Sequence, residues 1–441
     1  MRATARPTLT APVRLATLAG VFAACGESPA VAPATIVRDS AGIPIVENRG
    51  VPAPPFALGD SPIVRIGVVS GAEKYQFGSI SGLARLSDGR IVVLDGMSKE
   101  LRFFSADGDH LQSVGGEGFG PGEFQSGGGL DVLPGDTLQV EDFPWRTRFA
   151  PDGTLLFKEQ VDWGRVRRLG TFYAECPFRR ILLGDDIIAC APSETIREAG
   201  ADLVAIRAQT YVRIPSDYSR VDTLAAVLRR SVLGMFRRGN RLVAEPTPGS
   251  DMMLGIIDVI AYAPSGFSAF GGSPTRFAAG RTDRYSIDVY DLDGTLRRIV
   301  RRAEGTRPPT REELHPLPRH DEPPPGMAMD AALFENPDFS NLTPVDSVSA
   351  LRSLFIDDLN RIWAGLGTAG DAYAGRAQPA DEGAGAHAVS YDVFDPDGRY
   401  LGPVYLPDRF SIWQIGADFV LGVRRDEMNV EFVEMYRLTR T

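Results

Sequence analysis

Residues able to do metal or nucleophilic chemistry are few. The chain holds four histidines, His110, His315, His320 and His387, and three cysteines, Cys25, Cys176 and Cys190. A metal or hydrolase site needs such groups clustered with carboxylates. His110 stands beside an Asp-Gly turn and reads as a solvated turn residue. His315 and His320 bracket the segment HPLPRH, followed by Asp321 and Glu322. Pro316 and Pro318 deny that segment the helical i, i+4 face a metal pair would use, so it reads as a solvated loop. His387 closes a Gly/Ala-rich stretch and reads the same way. Cysteine spacings for structural zinc are absent. No G-x-S-x-G nucleophile elbow occurs, and no Ser/His/Asp set can be assembled from spacing. The carboxylate pairs Asp185-Asp186 and Asp357-Asp358 lie in turn-like segments and read as turn formers rather than acid/base dyads. The sequence therefore gives no catalytic residues and no metal ligands.

The cysteines do say something about address. Arg2, Arg6 and Arg14 precede the ten-residue apolar run Leu15–Ala24, and no acidic residue comes before Glu27. Ten helical residues rise about 15 Å, too little for a bilayer core of about 30 Å. That is the length of a secretory leader. The run ends in FAACG, residues 22–26, which resembles a bacterial lipobox with Cys25 as the lipidated residue. Phe22 stands where Leu is usual. Gly26 after the cysteine resembles lipoproteins sorted to the outer membrane. Residues 25–34 then form the lipidated cysteine and a short tether. With Cys25 so used, Cys176 and Cys190 remain as an even pair in an oxidising compartment. They flank FRRILLGDDIIA, a strand-turn-strand pattern, so a disulfide and two buried thiols are both open readings.

Charge narrows the partners. With 47 Lys and Arg against 57 Asp and Glu, the formal net charge is -10. No Lys/Arg run exceeds three, which argues against nucleic acid and leaves a lipid anchor as the expected tie to a membrane. Only Lys74, Lys99 and Lys158 are lysines, as expected of a GC-rich genome.

Stepping from these residues to their supports, short β-rich runs bounded by Asp-Gly and related turns dominate, and helical periodicity is scarce. The pattern is clearest over 82–114: GLARL, turn SDG, RIVVLD, then ELRFF, turn SADG, DHLQSV. The next unit repeats it as GLDVL, PGD, TLQVED, WRTRFA, PDG, TLLFKEQV. A third unit runs from about Arg180 to Val227, a fourth from about Gly266 to Arg302, and a fifth from Leu351. The sixth, SIWQI, DFVLGVRR, VEFVEMYRL, is short by one strand. Repeated four-stranded meanders define a β-propeller. The expected fold is therefore all-β, a six-bladed propeller over 35–441 closed by an N-terminal strand. Residues 35–47, TIVRDSAGIPIVE, are the expected closing segment. Residues 228–265 yield no assignment.

The segment Gly116–Phe124, GEGFGPGEF, following DGDHLQSVG, resembles the inter-blade loop of NHL-type six-bladed propellers. Together with VRDSAGIPIVEN, YDVFDPDGRYLG and GADFVLGVRRDEMNVEFVEMYRL, it is similar to bacterial six-bladed β-propeller lipoproteins. The WD dipeptide of WD repeats is absent. The Gly-rich loop lacks the Lys-Ser/Thr pair of a phosphate-binding P-loop and is followed by no helix pattern. It reads as a crossover with Phe124 as its anchor.

Two insertions remain. Residues 303–347 carry nine prolines, and 367–388 are Gly/Ala-rich. Long loops in propellers gather at the mouth of the axial channel. Phe334, Phe339 and Trp363 are the aromatic candidates for binding there, with packing against the propeller side as the alternative. The expected function is a non-catalytic module binding a small molecule, glycan or envelope protein. The alternative, by fold analogy, is a lactonase-like hydrolase with an axial calcium or zinc ion.

Overall fold

The computed structural model describes residues 34–52, 54–170, 182–183, 185–197, 204–238, 241–246, 259–262, 276–281, 285–291, 293–304, 306–307, 348–349, 351–357, 359–366 and 390–441. Alternating apolar residues and Asp-Gly turns fold into six antiparallel sheets, the blades of a propeller. Blade 1 is Ile80–Arg85, Ile91–Asp95, Glu100–Phe104 and His110–Gly115. Blade 2 is Gly129–Leu133, Thr137–Asp142, Trp145–Phe149 and Leu155–Gln160. Blade 3 starts at Leu182–Leu183 and continues through Asp186–Arg197, Val204–Ile214 and Asp222–Arg238, with Arg241–Pro246 paired to the end of the last. Its strands are long, of 12, 11 and 17 residues, and the last of them takes in 228–238 of the unassigned 228–265 region.

Blade 4 is Val259–Tyr262, Arg276–Arg281, Ser286–Asp291 and Leu296–Arg302. It begins upstream of the expected Gly266. Blade 5 is Leu351–Ile356, Ile362–Leu366, Ser390–Phe394 and Tyr400–Tyr405. Blade 6 takes Phe410–Ile415, Phe419–Arg425 and Glu431–Arg440 from the C-terminus.

An N-terminal strand closes the ring, but not the expected one. Val64–Ile66 pairs antiparallel with Glu431–Arg440, and Phe56–Leu58 pairs further along the same strand. The hairpin of Thr35–Ser40 and Ile43–Asn48 instead joins blade 4, pairing parallel with its outer strand. Asn48 explains the choice. Its amide donates to the carbonyls of Arg301 and Gly398 and accepts the Tyr400 N–H, which pins the hairpin where blades 4 and 5 meet. Val46 packs on the same turn, within reach of Gly398. The two runs both have β pattern, and only buried side-chain partners distinguish their places.

Neighbouring blades pack face to face. Leu94, Phe103, Leu130, Val140, Phe124 and Phe149 form the core between blades 1 and 2. Further clusters lie between blades 6 and 1, 4 and 5, and 5 and 6.

Candidate functional site: the loop face

Strand direction gives the ring two unlike faces. The first strand of each blade runs away from the face on which blades are joined. Connections between strands one and two, and between three and four, therefore emerge on one side. These are the short turns, including Ser87-Asp88-Gly89, Ala106-Asp107-Gly108, Pro151-Asp152-Gly153 and Pro396-Asp397-Gly398; the exception is 263–275. Connections between strands two and three, and between blades, emerge on the other. This loop face takes 116–128, 161–181, 247–258 and both insertions: 303–347 leaves from the end of Leu296–Arg302, and 367–388 joins Ile362–Leu366 to Ser390–Phe394.

Buried carboxylates hold the loops of this face. Asp95 closes the second strand of blade 1 and accepts the N–H groups of Gly78, Ser79 and Met97. Arg102, 3% exposed, lies 3.4 Å from it and donates to the carbonyls of Glu73 and Gln76. Asp142 closes the second strand of blade 2 and does the same for Gln125, Ser126 and Gly127. Burial alone would raise the Asp142 carboxyl, but those three N–H donors hold it below the ordinary carboxylate value. Both aspartates sit at one sequence offset, IVVLD and LQVED, and that shared ending was a signal available in the sequence. Across the ring closure, Glu431 accepts the Ile80 N–H at 2.6 Å and Gln414 accepts the Arg85 N–H at 2.7 Å.

The glycine-rich segment is a structural crossover. Phe124 is fully buried against Phe149, 5.9 Å between ring centres. Glu123 turns back to accept the Gly120 N–H, and a Cβ on Gly118 would sit 1.9 Å from that carboxylate. Gly115, at φ +101°, passes so close to Phe124 and the Lys99 carbonyl that a side chain is excluded.

Among the sequence candidates, Trp363 is corrected. It is fully buried between blades 5 and 6, stacked 6.2 Å from Phe56, and its indole N–H donates to Asp357 at 2.8 Å. Enclosed on all sides, it offers no surface to a ligand. Cys25, Cys176, Phe334 and Phe339 lie outside the described residues, as do His315, His320 and His387. Cys190 lies in Asp186–Arg197 with its backbone opposite Tyr211, its side chain outside the described set. Asp357 is a turn former: it accepts the N–H groups of Leu359 and Arg361 as well as the Arg361 guanidinium. Asp186 similarly ties Arg213 and the Ser216 N–H. His110 is half-buried, not freely solvated. Its ring lies edge-on to Phe104 and Tyr75. Burial, with Lys74 and Arg102 nearby, pushes it below the usual histidine value.

A concavity of about 300 Å³ opens between blades 2 and 3, lined by Arg146, Glu159, Asp162, Asp185, Ser216 and Tyr218 among others. Arg146 pairs there with both Glu159 and Asp185. No group of three or more His, Cys, Asp or Glu side chains is placed to hold a metal ion among the described residues.

No family model matches the chain, and no curated protein matches it. Solved structures similar to it include a DUF4221 family member from Bacteroides vulgatus, at 9% identity and a TM-score of 0.44, covering 88% of this chain and 99% of that one. Regucalcin from Agrobacterium tumefaciens, a calcium-binding protein, shows 10% identity and a TM-score of 0.33 over 84% of this chain and 94% of its own. A gluconolactonase from Xanthomonas campestris shows 12% and 0.32 over 88% and 99%. Likenesses this distant carry no argument about activity. The class, a six-bladed β-propeller, rests on the strand pairing itself; the NHL-type likeness remains one of motifs.

Proposed function

We propose that the protein is an exported propeller, lipid-anchored through Cys25 to the bacterial envelope, that acts as a non-catalytic binding or scaffold module. The observation that carries this reading is the segregation of its connections. The connections on one face are short, 263–275 excepted, whereas the other carries both long insertions and the long inter-blade crossovers beside short turns such as 96–99 and 143–144. Variable loops on a rigid ring are how propellers present binding surfaces. The buried Asp95 and Asp142 at the loop face are committed to backbone N–H groups and support loops rather than substrate. Its ligand would be a small molecule, glycan or envelope protein.

Two measurements test the reading. Metal analysis of the native protein is expected to find no stoichiometric calcium or zinc. A tightly bound ion, with lactone hydrolysis lost on chelation, would establish the hydrolase alternative instead. For the anchor, Cys25→Ser is expected to move the protein from the membrane fraction to the soluble fraction. Unchanged partitioning would remove the lipid from the proposal.

A further inference from the structure

The exposed large apolar residues are unevenly placed. On the loop face of blades 6, 1 and 2 they occupy loop tips: Met428 (69% exposed), Val69 (53%), Met97 (72%), Phe119 (78%) and Phe143 (59%). These belong to three consecutive blades, in the connections 426–430, 67–79, 96–99, 116–128 and 143–144. On the turn face, Leu359 is the one described counterpart; the others are in outer strands or the N-terminal segment. Single exposed apolar residues are ordinary, but five at the loop tips of one sector of one face set that sector apart.

A local basic excess borders it. The helix Trp163–Leu169, WGRVRRL, exposes Arg165, Arg167 and Arg168 and buries Val166. Trp163 packs against Phe143 at 5.2 Å, so the arginines flank an apolar tip. Arg167 and Arg168 also suit the helix C-terminus electrostatically. Asp162 pairs with Arg165 at 3.5 Å, and Glu117 and Glu427 adjoin Phe119 and Met428, so the basic excess of this sector rests on Arg167 and Arg168 at the Phe143 end. The chain's net charge of -10 hides this excess.

The tether supplies the occupant. Nine residues, 26–34, separate Cys25 from the first strand and reach at most about 30 Å. Under the anchor reading above, on which this step rests, the ring is held next to a bilayer. Even a weak surface contact is then made at high effective concentration. We propose that the loop face of blades 6, 1 and 2 docks on that bilayer. Met97, Phe119, Phe143 and Met428 enter the headgroup region, and Arg167 and Arg168 meet anionic lipid phosphates.

The test uses the Cys25→Ser protein, so that binding owes nothing to the lipid, with vesicles of phosphatidylethanolamine and phosphatidylglycerol at millimolar lipid. The protein is expected to sediment with these vesicles. Phe119→Ser/Phe143→Ser/Met428→Ser should lower the bound fraction at least about fivefold, and Arg167→Glu/Arg168→Glu should weaken binding at low salt. Bromine-labelled acyl chains should quench an added Phe119→Trp but not Leu359→Trp on the opposite face. Absence of sedimentation, survival of binding in the folded triple-serine variant, or equal quenching at 119 and 359 would each overturn the docking. So would a discrete protein adduct formed in cells through a crosslinker at residue 119, which would mean a protein covers the patch. Mass analysis of native Cys25 reads the anchor separately, so each failure is identifiable.

Discussion

The two faces of blade 2 differ in what they ask of their neighbours. Along GLDVL and TLQVED, side chains alternate between two sides of one sheet. Toward blade 1 go Leu130, Val132, Leu138, Val140 and Phe149, all buried in one apolar core with Phe103 and Phe124. Toward blade 3 go Asp131, Gln139, Arg146 and Arg148. Arg148 donates to Gln139 through two nitrogens and, with Arg146, pairs with Asp185 of blade 3. The first seam is held by non-directional burial. The second combines charges that stay half in water, with Asp185 54% exposed, with a smaller apolar cluster in which Val161 and Val166 pack on Ile187, Ala189, Val212 and Ile214 of blade 3, and it leaves the 300 Å³ concavity open. One side of a blade can thus be apolar throughout and the other partly polar and open to water, from alternate letters of the same strand.

That contrast can be broken at several points. The largest effect is expected at the apolar seam: Phe124→Ala should cost about 3–5 kcal/mol, since it empties a fully enclosed site, and chemical denaturation will read it. Equal loss from an exposed apolar residue such as Leu156 would contradict the role given to this core.

The next effect lies at the loop that leads into the same seam. Asp142→Asn should cost about 1–3 kcal/mol by weakening acceptance from Gln125, Ser126 and Gly127. The pH dependence has a definite sign. The folded carboxyl sits below its unfolded value of about 3.9, so its contribution is complete above that value and is lost as pH falls through it. Denaturation midpoints measured from pH 6 to pH 3 should fall less steeply in the asparagine variant.

At the start of the outer strand of blade 1, His110 should titrate below about 6.5 by NMR. Its folded value is lowered, so stability is full above the unfolded value and declines as pH drops below it. A midpoint above 6.5 would show that its packing against Phe104 and Tyr75 does not persist in solution.

The smallest effect belongs to the polar seam. Asp185→Ala should cost no more than about 1 kcal/mol, less as salt is raised, because the pair faces solvent. A loss of several kcal/mol, insensitive to salt, would mean the seam is drier than its geometry shows.

Several of these features were legible in advance. The blades, their Asp-Gly turns and the role of Phe124 follow from local pattern, because period-2 alternation and positive-φ glycines act over a few residues. The loop-holding aspartates were half legible, since IVVLD and LQVED share an ending but not a visible partner. The place of Trp363 was open between channel mouth and packing because an aromatic beside an insertion looks the same in sequence whether it faces a channel or Asp357.

The sequence by itself determined that the chain alternates, how many blades the alternation makes, and that the ring must close through its N-terminal segment. The tertiary structure alone decided which segment closes it. Thr35–Asn48 and Phe56–Ile66 both have β pattern, and backbone hydrogen bonds would accept either. Buried partners far apart in sequence break the tie: beyond Thr35 of its own hairpin, Asn48 is satisfied by Arg301, Gly398 and Tyr400 at blades 4 and 5, and Val64 and Ile66 complete the core between blades 6 and 1. Long-range satisfaction of buried polar and apolar groups is decided by the folded ring, and no local pattern records it.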